Sequence, residues 1–169
     1  MKNKSVRNLT YAAIIAALYV ALTHAQNFIF PDSASMAIQF RASEALCVLA
    51  FFTPAAIPGL TIGCLLFNVT SGMALPLDFL VGSAATLGAA LVMWHTRGWK
   101  VKGMPLFGLL MPALFNAVLV GWELTVYIGS SFLFNAVCVA LGELAVLFTL
   151  GNLLYFALSR RHLDQVIFG

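Results

Sequence analysis

The chain alternates long apolar runs with short polar breaks. Leu9 to Ala25 forms the first run, and a polar, proline-containing stretch follows from about residue 26 to 43. Further runs cover 44–53, 57–71, 78–95, 105–123 and 132–158, broken by Thr53-Pro54, by the turn after Ser71 and by a basic segment between residues 97 and 102. None shows the in–out alternation that a transmembrane strand of about ten residues needs. In lipid that leaves helices, whose backbone groups bond within the segment. A spanning helix takes roughly 20 apolar residues, fewer where packing allows. The pattern therefore predicts an all-α membrane protein, a bundle of six transmembrane helices in one domain over residues 1–169.

Composition excludes a water-soluble alternative. The 169 residues are 62% hydrophobic and 9% charged, with a mean hydropathy of +0.96, whereas soluble domains carry about 25% charged residues. The start, Met1-Lys-Asn-Lys-Ser-Val-Arg, is basic, but no small-residue cleavage pattern follows, so the first run is expected to be a span and not a removable signal. Cys47, Cys64 and Cys138 stand apart inside apolar runs and read as small buried hydrophobes, giving no metal or disulfide pattern. No nucleic-acid partner is expected.

Charge placement adds orientation. With six spans and a cytoplasmic N-terminus, Lys2, Lys4, Arg7, Arg97, Lys100, Lys102, Arg160 and Arg161 all fall inside, which is eight of the nine basic residues. Both termini are therefore expected in the cytoplasm. Arg41 alone falls outside, in the company of Asp32, Glu44, Asp78 and Glu123.

Polar groups within spans are costly and usually face a bundle interior or a cavity. Glu143 falls near the middle of the last span without a basic partner on its own helix. It is either a ligand contact or a neutral group bonded to another helix. Asn116 and Glu123, seven apart, share a helix face. With Gln39, Arg41, Glu44, Asn68, Asp78 and Asn135 they are candidates to ring one outward-facing cavity, although a single Asn is more often glue between helices. Arg41 and Glu44 have a second reading, as a helix start in which Ser43 is the N-cap and Glu44 favours the dipole. Trp122 is either a stacking wall for a flat ligand or an interfacial anchor. Ala12, Ala13, Ala16, Ala17 and Ala21 make a smooth strip on the first span, for a partner helix or for packing within the bundle.

The stretch QFRASEALCVLAFFTPAAIPGLTIGCLLFN resembles the corresponding segment of the queuosine-precursor transporter family QueT, as do LDFLVGSAATLGAAL, PALFNAVLVGWEL and LGELAVLFTLGN. Ala50 departs from the proline of that pattern. The resemblance implies the substrate-binding S component of an energy-coupling factor (ECF) transporter in the bacterial cytoplasmic membrane. It further implies capture of 7-aminomethyl-7-deazaguanine or a close relative from outside. The partners implied are a transmembrane coupling subunit that grips the alanine strip, and two cytoplasmic ATPases. ATP hydrolysis belongs to those partners, because the chain has no G-x-x-x-x-G-K-[ST] motif and needs no cofactor of its own. An enzyme is disfavoured by the lack of H-E-x-x-H and G-x-S-x-G. An S component for thiamine, folate or riboflavin, or a self-sufficient carrier, are the competing expectations.

Overall fold

The structure, a computed structural model, describes residues 4–31, 40–72, 75–160 and 167–168. Gln39 lies outside the described residues. The helical segments are α1 (Lys4–Ile29), α2 (Ala42–Phe51), α3 (Ala56–Thr70), α4 (Asp78–Thr96), α5 (Leu106–Ile128) and α6 (Phe132–Arg160). The six expected helices are all present. Of these, α1, α4, α5 and α6 are long and apolar enough to cross a membrane, while α2 and α3 are shorter.

The helices pack as α1 on α3, α3 on α4, α4 on α5 and α5 on α6. Of these pairs, α1 and α3 run parallel, Gly59 lying at Ala12 and Gly63 at Tyr19, while the other three run antiparallel. The α2 segment fills the space between α1 and α6 and also touches α3 and α4. Its side chains are buried from Ser43 to Phe51, as expected of a helix that is apolar all round. Contrary to the expectation of an ordinary short helix at 44–53, it winds as a 3-10 helix. At about 2.0 Å per residue, ten residues then advance roughly 20 Å, against about 15 Å for an α-helix. The extra reach carries the tip down to the basic end of the bundle, where the Phe51 ring meets Tyr155 of α6 edge-on at 5.9 Å. Gly108 makes room for it, since a Cβ there would come within 2.6 Å of that ring.

Two expected boundaries move for one reason. The first helix continues past Ala25 through Gln26 and Asn27, and the fifth passes Glu123 by five residues. A polar residue in the sequence suggested the membrane edge, but the side chains of Gln26 and Glu123 turn inward. Gly129 closes α5 in a left-handed conformation with φ 74°, a region that glycine enters without a Cβ penalty. Within α6, a π-helical turn at Leu147–Gly151 sets Gly151 against Val48 and Ala45 of α2.

The α1–α3 contact is a close one. Gly59 and Gly63, one turn apart on α3, lie against α1, where added Cβ atoms would come within 2.8 Å of the Ala12 carbonyl oxygen and 2.7 Å of Tyr19 Cβ. Ala12 and Ala16 are buried in this seam. They pack within the chain, which corrects their assignment to a partner surface. Ala13, Ala17 and Ala21 do face outward.

Candidate functional site

The polar residues singled out in the sequence lie between the middle of the bundle and the end opposite the basic loops. Arg41, Glu44, Asn68, Asp78, Asn116, Glu123, Asn135 and Glu143 are all buried. They come from five different helices or their starts, so only the tertiary fold brings them together. Trp122 does not join them. It is 52% exposed on the outer surface of the bundle, whereas its neighbour Glu123 is fully buried. Successive helical residues point about 100° apart, and inward Glu123 leaves Trp122 facing out. The aromatic ring beside the site is instead Phe67, with the Arg41 guanidinium 5.7 Å from its centroid.

Depth along the helices orders the cluster. Glu143 lies eleven residues into α6 and Asn116 twelve residues from the far end of α5, roughly 16–18 Å in at 1.5 Å per residue. At that shared depth Asn116 Nδ2 donates to Glu143 Oε1 at 3.1 Å. Glu123, two turns above Asn116, lies about 10 Å nearer the end and has Asp78 as its neighbour. Asp78 is held at the start of α4, where its carboxylate accepts from the Leu75 N–H at 2.9 Å and its carbonyl accepts from Asn68 Nδ2 at 2.8 Å. Gly82 leaves space for that amide, which a Cβ would approach to 2.9 Å.

The cluster divides by what its oxygens already bind. Glu44 is occupied on both oxygens, one accepting from the Tyr19 hydroxyl and the other from Cys47 Sγ at 3.1 Å. Asn135 is likewise engaged at both ends, accepting from Ser130 at 2.8 Å and donating to Thr125 at 3.1 Å. It ties the α5–α6 turn together. By contrast, both Glu123 oxygens, which have only the Asp78 carboxyl beside them, and Glu143 Oε2 and Asn68 Oδ1 are buried with no donor N–H or hydroxyl to accept from among the described residues. Such groups are costly unless something satisfies them. All four atoms are acceptors, so the missing counterpart is a donor.

Arg41 is the basic member of this cluster. Its Nη1 lies 3.9 Å from Cys64 Sγ, and its charge is felt by Glu44 and Glu143 and by Glu123. The expected N-cap role of Ser43 is corrected: Arg41 occupies the cap position of α2 without a side-chain cap bond, and the Ser43 hydroxyl pairs with Thr23 Oγ1 at 2.6 Å. Sequence reasoning missed Tyr19, Thr23 and Gln26. Their signal was present, since polar groups four and three apart on an otherwise apolar span mark one buried face.

The fold, with four helices long and apolar enough to cross a membrane, defines a multi-pass membrane protein with an acid-rich buried interior. The QueT transporter family model matches residues 9–160, and the chain belongs to that family. The "Queuosine precursor transporter QueT" of Lactococcus lactis subsp. cremoris (strain MG1363) is 38% identical over 90 residues, covering 52% of this chain. The matched part is 49% of that relative, about half its length. No solved structure matches the chain.

Proposed function

We propose that this chain is the substrate-binding S component of an ECF-type importer, and that it captures a queuosine precursor such as 7-aminomethyl-7-deazaguanine for ATP-driven uptake. The observation that carries the reading is the set of buried, unsatisfied carboxylate oxygens on Glu123 and Glu143. Family membership and the named relative supply the class of cargo. The chemistry agrees with it. An aminomethyl group is cationic and calls for shielded carboxylates, while a guanine-like edge offers adjacent N–H donors that one carboxylate accepts together.

In this reading Glu143, oriented by Asn116, takes the purine-like edge, and Glu123 beside Asp78 takes the ammonium. Asn68 Oδ1 accepts a further donor, and Arg41 serves the ring carbonyl oxygen. Glu44 and Asn135 shape the site without touching ligand, because their own polar atoms are occupied. The coupling subunit docks on the exposed Ala13, Ala17 and Ala21 face of α1, and two cytoplasmic ATPases drive transport.

Calorimetric titration of the purified chain with 7-aminomethyl-7-deazaguanine, with guanine, thiamine and folate as controls, tests the cargo. Tight binding of the deazaguanine alone supports it, and tight binding of a vitamin in its place overturns it. Reconstitution with and without the coupling and ATPase subunits tests the rest. Uptake without them would make the chain a self-sufficient carrier.

A further inference from the structure

One face of α1 is fastened to the first turn of α2, rung by rung. Tyr19, Thr23 and Gln26 stand at i, i+4 and i+7, so they project from one side of the helix. The Tyr19 hydroxyl donates to Glu44 Oε1. Thr23 Oγ1 pairs with the Ser43 hydroxyl at 2.6 Å. Gln26 then straddles Arg41, its Nε2 donating to the Phe40 carbonyl and its Oε1 accepting from the Ala42 N–H at 2.6 Å. The peptide that carries Arg41 is thus clamped on both sides by one amide side chain. Arg41 has an extended backbone, φ −113° and ψ 96°, and its carbonyl accepts the first 3-10 bond of α2 from the Glu44 N–H at 2.9 Å. Tyr19 can reach Glu44 because Gly63 lets α1 come close.

We propose that Tyr19, Thr23 and Gln26 are positioning residues of the ligand site, fixing Arg41 over Phe67 and Cys64 and keeping Glu44 withdrawn from the ligand. They touch no ligand and act through the residues they hold. The opposite face of α1 presents Ala13, Ala17 and Ala21. One rigid helix therefore carries an exposed small-residue face and the clamp on the site, and a shift of α1 moves Arg41. The effect on ligand affinity rests on the functional reading above, while the effect on Arg41 does not.

The test uses the full chain with Thr23→Val and Gln26→Leu, near-isosteric changes that remove the Thr23 and Gln26 rungs, and Gln26→Leu alone in case the double variant folds poorly. Thr23→Ser, which keeps the hydroxyl, is the rescue control. Cys64 is fully buried beside Arg41, so its labelling by a cationic methanethiosulfonate, read by peptide mass spectrometry, reports the clamp without any ligand. The expected result is labelling at least about tenfold faster in the clamp variants and unchanged in Thr23→Ser. Affinity for 7-aminomethyl-7-deazaguanine falls by a similar factor, about 1.4 kcal/mol per tenfold, while the folded fraction before ligand is added stays the same. Unchanged Cys64 labelling in a folded variant overturns the proposal. So does faster labelling with affinity intact, because Arg41 would then be loose without consequence. If the wild-type chain itself ignores the deazaguanine, the functional reading fails, and the labelling arm still decides whether the clamp holds Arg41.

Discussion

At the scale of single residues, the site separates atoms that are already bonded from atoms that wait for a partner. Glu143→Gln keeps the shape and the bond to Asn116 within reach but removes the charge that an N–H edge would meet. A charge-assisted bond contributes about 1.5–3 kcal/mol, so affinity for the deazaguanine should fall roughly 10- to 100-fold by calorimetry. Glu123→Gln should weaken an aminomethyl ligand far more than a neutral analogue with a nitrile in that place; an equal loss for both would remove Glu123 from the ammonium. Trp122→Leu should leave affinity within about twofold, since a half-exposed side chain facing away from the site has no ligand to lose. The burial of Glu143, Asn116 and Glu123 was legible in the sequence, because ionisable and amide groups inside apolar spans turn inward. Which oxygens are free was not legible, since it depends on Tyr19 and Ser130, whose partners lie on another element or across a turn, and on the 3-10 winding of α2 that brings Cys47 to Glu44.

At the scale of elements, the α1–α3 seam is set by small residues on both sides. Gly59→Ala would bring a Cβ within 2.8 Å of a backbone oxygen and 2.9 Å of Ile15 Cβ. Overpacking of this kind costs about 1–3 kcal/mol. A lowered thermal midpoint in detergent is the expected outcome, and an unchanged midpoint would mean that the helices part freely. The alanine strip shows why pattern alone could not finish the assignment. Residues 12, 13, 16, 17 and 21 wrap around more than one side of the helix, and only the packing of α3 decides that Ala12 and Ala16 are covered while Ala13, Ala17 and Ala21 remain open. Ala17→Leu is accordingly expected to leave ligand binding intact and to reduce uptake in the reconstituted complex. Loss of binding instead would place that face inside the bundle's own mechanics.

At the scale of the molecule, the two ends of the bundle differ in charge. Lys4, Arg7, Arg97, Lys100, Lys102 and Arg160 gather at one end, and the acid-rich cluster lies away from it. The positive-inside rule then predicts that a cysteine at Lys100 is reached by a membrane-impermeant thiol reagent only in inverted vesicles, and one at Ser130 only in intact cells. The reverse pattern would turn the site toward the cytoplasm and make capture from outside impossible.

The sequence by itself determined the class of the protein, its six helices and the residues that had to face inward. Those follow from local free energies, since each apolar run must leave water and each polar side chain inside it must find shelter. The tertiary structure alone decided that α2 winds as a 3-10 helix, that Trp122 stands outside, and that Glu44 is held by α1 while Glu123 and part of Glu143 are left for a ligand. Those outcomes depend on which side chains from distant parts of the chain arrive at the same place, and no spacing along one helix records that.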